Sequence, residues 1–200
     1  MPVKFQYNKT AQQQLEKQLN IRIRALPTLQ NKESALRMEV KKAKDEADRL
    51  GQEYEKMIKK YDQMVALWGE FDTSLIGIDE VHLDIKKIAG VKTPVLDRID
   101  FYTEEFSIFN KPKWYLDGID LVKKIVSVGI EREVYHRKME LLDRARKKTT
   151  QKVNLFEKVQ IPGYEDAIRK IKRFMEDEDN LSKSAQKIVK QRQQKMEVAQ

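Results

Sequence analysis

No cysteine occurs in these 200 residues. That excludes disulfides, thiolate chemistry and Cys-type zinc sites, and fits a reducing compartment. Glycine is scarce, with seven residues scattered along the chain, and neither the P-loop nor the dinucleotide-binding glycine pattern is present. No apolar run approaches the ~18–20 residues of a membrane span, and residues 1–9 lack the apolar core of a secretory signal. A soluble chain without direct membrane insertion is therefore expected. The only two histidines, His82 and His136, stand far apart in different predicted elements, so no histidine pair at metal-ligand spacing exists. Ser107 and Ser127 have no histidine near them in sequence to act as base. Glu104-Glu105 and the run Glu176-Asp177-Glu178-Asp179 are acidic, but a continuous run on a helix spreads around the cylinder and does not converge on one cation. The expectation is a non-enzyme with no catalytic set, no cofactor site and no metal site.

Charge is what the chain has in excess: 36% of residues are charged and 40% apolar. That balance suits long helices better than a compact globule. The net charge is +8, yet residues 70–120 hold eleven acidic against six basic side chains. The basic excess therefore lies in the terminal thirds. It suits a shaft in an acidic cavity, a phosphate-rich partner, or simply a solvated lysine-rich face.

The strongest pattern starts at Leu15. Apolar positions recur at alternating steps of four and three through Leu19, Leu26, Leu29, Leu36, Val40, Ala43, Ala47, Leu50, Tyr54, Met57, Tyr61 and Met64 to Trp68, broken only by Arg22 and Glu33. A mean step of about 3.5 residues is the seam of a left-handed coiled coil. Asn8 and Thr10 are candidate N-caps, so the spacing predicts a first long helix over 8–69. Pro27 inside it predicts a kink or short break. Lys41–Asp45, Lys42–Glu46 and Asp45–Arg49 are i,i+4 ion-pair candidates on its exposed face.

Residues 70–116 read differently. Val81, Leu83 and Ile85 alternate with polar residues, and Ile99 and Phe101 alternate again after a segment rich in Gly, Pro and β-branched residues. This predicts a small hairpin shaped by Gly90, Val91 and Pro94, with Pro94 at an edge or bulge. Phe109, Trp114 and Tyr115 are expected to close a satellite core. A second long helix is predicted over 117–198. Its stripe runs Ile125, Val128, Tyr135, Met139, Leu142, Thr149, Val153 and Phe156, with a bend at Pro162-Gly163, then Ile168, Ile171, Phe174, Leu181, Ala185 and Ile188. The fold class is all-α: a long antiparallel two-helix coiled coil made by the two terminal segments, with a small central β-hairpin and short-helix region.

Two basic clusters, Arg144–Lys148 and Lys187–Lys195, are suited to phosphate contacts. No base-reading module or aromatic stacking platform accompanies them. A coiled-coil nucleic-acid-binding or scaffolding protein is the alternative reading.

The segment Val153-Asn154-Leu155-Phe156-Glu157-Lys158-Val159-Gln160-Ile161-Pro162, continued by Glu165, Ile168 and Ile171, resembles the pattern VNALE-x-V-x-IP-xx-E-xx-I-xx-I of the D-subunit family of V/A-type rotary ATPases. Ile88-Ala89-Gly90-Val91-Lys92-Thr93-Pro94 is similar to that family's central VxGVxxP segment. Leu15, Leu19, Arg24, Leu29, Lys32 and Leu36 fall on its N-terminal pattern. Glu33, Pro27 and Ala25 depart from it, as in a divergent bacterial member. The resemblance implies a central-stalk rotor component whose two terminal helices form a shaft inside a hexamer of alternating A and B subunits. Its lower part would bind the F subunit and sit on the socket subunit above the membrane ring, peripheral on the cytoplasmic face. It would couple ATP hydrolysis or synthesis to ion translocation. From charge and position near the termini, Arg22, Arg24, Lys187, Lys190 and Arg192 are the candidate hexamer contacts.

Overall fold

The structure, a computed structural model, describes residues 4–62, 68–107, 109 and 112–198, with backbone alone for 195–198. Met64 of the seam, Asn110, Lys111 and the side chain of Lys195 lie outside the described residues. The chain comprises helix α1 (Lys9–Tyr61), strands β1 (Ile76–Ile88) and β2 (Val91–Thr103), and helix α2 (Tyr115–Asn154). A π-helical segment, Leu155–Gln160, joins α2 to helix α3 (Ile161–Val198). It divides into two compact units, Met1–Asn31 with Thr149–Gln200, and Lys32–Lys148.

In the first unit, Asn8 caps α1 by accepting at Oδ1 from the Ala11 amide at 2.7 Å, which satisfies one of the orphan donors of the first turn. Leu15 packs with Ala167, Ile168 and Ile171, flanked by Leu19, Tyr164 and Met175. Glu16 pairs with Lys172, whereas Arg22 bonds Gln160. Rising numbers on one strand of the coil meet falling numbers on the other, so the pair is antiparallel. Full burial of Ile171 contributes about 1.5–3 kcal/mol.

Among the described residues, the second unit has two cores. Leu36 and Ala43 meet Leu142, with Val40, Met139 and Ala145 around them, and Ile88 and Val91 at the hairpin tip close over this cluster. Phe71, Leu75, Tyr115 and Ile119 form the other, with Trp68, Phe106 and Trp114 packed against it. The Tyr115 hydroxyl donates to the Glu70 carbonyl. Trp114 and Tyr115 thus close the expected satellite core, but Phe109 does not: its ring is fully exposed. Phe106 takes that part, 6.5 Å from Tyr115.

The strands pair antiparallel from Ile76↔Thr103 to Ile88↔Val91. They are longer than the alternation indicated, because register shifts between Ile78 and Glu80 and between His82 and Leu83 interrupt the period-two pattern. Ala89 and Gly90 both have positive φ, +49° and +81°, as a two-residue type I′ turn requires. Pro94 sits opposite Ile85 on an edge strand, away from both bulges. The buried Thr93 hydroxyl donates to the Lys86 carbonyl at 2.9 Å.

All described seam positions of α1 are buried or half-buried. Pro27 produces no break, since α1 runs through it. The ring lies on the exposed face, where water can serve the Ile23 carbonyl that loses its donor. α1 closes at Tyr61, and residues 68 and 69 are again helical. The exposed ion pairs choose other partners than the i,i+4 spacing indicated. Lys42 takes Glu39 and Arg49 takes Glu46 at i,i+3 spacing, because such neighbours are equally close on a helix surface, and Arg49 also reaches Glu53 at i,i+4.

Candidate functional site

Two features of the first unit concentrate what the family-type motif and the candidate contacts had singled out. One is a clasp around Arg22; the other is the far end of α3.

Arg22 occupies a seam position, so its side chain points at the opposing helix. Its Nε donates to Gln160 Oε1 at 2.6 Å, and Nη1 donates to the Gln18 carbonyl and side-chain oxygens at 3.0 and 2.6 Å. The guanidinium lies 4.7 Å from the Tyr164 ring centre and 5.8 Å from that of Phe156. Phe156, Gln160 and Tyr164 follow one another at four-residue steps and present a ring, an amide and a ring to one planar cation. Arginine suits this place because the fork bonds in its plane while its faces stack. Arg22 is therefore engaged within the unit, whereas Arg24 is exposed.

The motif residues divide by side. Ile168 and Ile171 are core, and Val153 and Ile161 are half-buried. Asn154, Glu157, Val159, Pro162 and Glu165 face outward. Asn154 and Glu157 flank the apolar stripe but make no bond across the coil among the described residues. Gln160 makes it instead, to Arg22. The signal in the sequence was the cation interrupting an apolar seam, together with two aromatics eight residues apart opposite it.

Pro162 contributes to the form of the helix that precedes it. Proline has no N–H and its ring crowds the carbonyl four residues back. The chain responds with the π-helical turn Leu155–Gln160, in which the Ile161 amide bonds the Phe156 carbonyl, five residues back. The distortion anticipated at Pro162-Gly163 thus falls on the N-terminal side of the proline and takes the form of a widened turn.

Beyond Met175 the α3 helix has no partner in its unit among the described residues. The seam is closed by Tyr7, whose ring lies 4.8 Å from Phe174 and 5.3 Å from Phe5. Residues 176–194 are all exposed. Leu181, Ile188 and Val189 are 72%, 52% and 54% exposed, and Lys187, Lys190 and Arg192 stand among them. An amphipathic helix end with open apolar side chains and interspersed cations is a candidate interaction surface. The acidic run Glu176–Asp179 is exposed at its base.

In the second unit, the Arg144–Lys148 cluster is partly neutralised. Arg146 and Lys147 grip Asp143 at 2.7 and 3.0 Å, and the Lys147 and Arg146 hydrogen bonds hold the Asp143 carboxyl below its ordinary pKa. His82 Nε2 lies 2.8 Å from Asp100 and 3.8 Å from Glu80, with Arg98 3.3 Å away. This is a cross-strand polar cluster that helps hold the hairpin register. Among the described residues no group of three His, Cys, Asp or Glu side chains converges as a metal site, and no helix is long and apolar enough to cross a membrane.

Residues 11–191 match the family model of the ATP synthase D subunit. The V-type ATP synthase D subunit of Borreliella burgdorferi is 31% identical over 170 residues, covering 84% of each chain. The protein of the same description from Chlamydia pneumoniae is 27% identical over 172 residues, covering 82% of this chain and 81% of that one. That from Chlamydia caviae is 29% identical over 183 residues, covering 87% and 88%. A family match over almost the whole length, joined to an antiparallel helix pair with a central hairpin, places the chain: it belongs to the ATP synthase D-subunit family.

Proposed function

We propose that this chain is the central-stalk rotor component of a V/A-type ATPase or ATP synthase. It couples ATP hydrolysis or synthesis in the hexamer of A and B subunits to ion translocation through the membrane ring. It is itself non-catalytic and works as a peripheral part on the cytoplasmic face, with the F subunit and the socket subunit as its other partners. The observation that carries this reading is the unpartnered end of α3, residues 176–194, exposed throughout with apolar and cationic side chains mixed. A hexamer sleeve is a partner suited to such an end.

Coupling is a matter of linked free energies: nucleotide state biases the angle of the shaft, and the angle biases nucleotide affinity by the same amount. Such a shaft must resist torsion. Interlocked seam residues such as Leu15 with Ile168 and Ile171 supply that resistance, because each is held in a hole on its partner. Arg24, Lys187, Lys190 and Arg192 remain the proposed hexamer contacts.

The deciding experiment is co-purification of the chain from its native source, with identification of the bound subunits. Recovery with A, B and F subunits supports the rotor role. Recovery with nucleic acid, released steeply by salt, overturns it in favour of a nucleic-acid-binding coil. Recovery as a homodimer alone favours a scaffold.

A further inference from the structure

The two helices of the first unit count their seams differently. On α1, steps of seven from Leu15 reach Arg22 and Leu29, and continue to Leu36, Ala43 and Leu50, all buried or half-buried. On the opposing helix, steps of seven from the buried Thr149 reach Phe156 and then call for Gly163 and Lys170. Lys170 is exposed and pairs with Asp166, whereas the fully buried residue is Ile171, one position later. Counting back seven from Ile171 gives Tyr164, which packs against the same core. One residue too many therefore lies between Phe156 and Tyr164.

The π-helical turn Leu155–Gln160 absorbs it, since a π turn takes up about one residue more than an α turn. A skip of this kind has no fixed address in a uniform helix; it can settle wherever the seam tolerates it. Pro162 bars it from moving forward. Proline alone does not hold it there, since α1 passes Pro27 as uninterrupted α-helix. Opposite the skip stands Arg22, bonded to Gln160 at the end of the π turn and stacked on Phe156 before it and Tyr164 after it. These three contacts match one position of the extra residue only, because sliding it by one turn carries Gln160 away from the guanidinium.

We infer that Arg22 is a positioning residue that pins this one-residue skip at Leu155–Gln160, making the segment a latched joint in the helix pair. An apolar residue at position 22 would make the first unit's stretch of the α1 seam apolar throughout but leave the skip free to migrate. The joint is a property of the first unit and does not depend on the rotor reading.

Amide hydrogen exchange on the full chain tests it, with R22M, R22K, a deletion of Lys158, and the R22M deletion double variant. Methionine fills the space between the two rings, so folding is retained. R22M is expected to speed exchange about tenfold over residues 149–160 and to leave the amides of Ala167–Ile171 unchanged. R22K, which keeps the charge but not the planar fork, is expected to fall between. Deleting the exposed Lys158 removes the extra residue and leaves seven-residue steps on both helices. Exchange at 155–161 should slow, and R22M should then have no further effect. The inference is overturned if R22M leaves exchange at 149–160 unchanged. It is equally overturned if R22M acts as strongly in the deletion background, which would make Arg22 ordinary packing, or if the deletion speeds exchange at 164–171.

Discussion

Ala89 shows how a single side chain can be out of keeping with its place. Its φ of +49° lies in the left-handed region, which costs an ordinary L-residue about 1–2 kcal/mol. Gly90 beside it occupies the same region at no such cost. Replacing Ala89 by Gly or Asn, the residues that the first position of a type I′ turn prefers, is expected to stabilise the second unit by about 0.5–1 kcal/mol. Urea denaturation followed by circular dichroism would measure it, and a midpoint that falls would contradict the assigned turn. Asp143 carries a pH signature. Lys147 and Arg146 hold its carboxyl below the ordinary range, so its contribution is present above the unfolded-state pKa and disappears as pH falls through the folded-state value. D143N is expected to lower stability by about 0.5 kcal/mol at neutral pH, a surface-pair magnitude, and by nothing once the medium is acidic enough to protonate the native carboxyl. Thermal melts of both proteins across that pH range should converge at the acid end.

At the scale of elements, the two helices and the hairpin differ in how far residue patterns reveal them. The α1 seam was legible from its first residue to its last described one, because a coiled coil needs an apolar contact on every turn and writes that need into the chain. Arg22 and Glu33 interrupt it as if they were flaws. Both prove to be engaged, Arg22 with the opposing helix and Glu33 with Arg37 at 2.8 Å. The hairpin was visible in type but not in length. Its bulges at Ile78/Glu80 and His82/Leu83 shift the face a residue occupies, so alternation fails where the strand continues. The π turn was hidden for a related reason: a proline announces a distortion but not its form, and the surplus residue shows only when burial on both helices is compared. Thr93→Val probes the hairpin as an element. The methyl replaces a buried hydroxyl that donates to the Lys86 carbonyl, and the expected loss is about 1 kcal/mol, read as faster amide exchange along β1 and β2 with α1 unaffected. Residues that would touch other subunits under the proposed function leave no such trace in the sequence, since the holes they would fill belong to other chains.

For the molecule as a whole, the division of labour between folding and assembly is sharpest at Met175. Every described side chain after it is exposed, so residues 176–194 contribute no buried core to either unit. A chain ending at Met175 should melt within about 2 °C of the full one, because a shift larger than that requires a loss of packing free energy that these residues do not supply. Under the proposed function the same truncation removes the open face of Leu181, Ile188 and Val189 and the cations Lys187, Lys190 and Arg192. It is therefore expected to abolish stable entry into the A/B hexamer while recovery with the F subunit persists. A K187E/K190E/R192E variant separates the two kinds of side chain on that face. If the cations steer the helix into an acidic sleeve, reversal slows association most at low ionic strength and the difference shrinks as salt rises. If the apolar face alone seats the helix, the reversed variant assembles at the rate of the parent at every salt concentration. Association rates measured with purified A/B hexamer at two ionic strengths distinguish these outcomes. Unchanged assembly of the truncated chain would remove α3's open end from the coupling surface altogether.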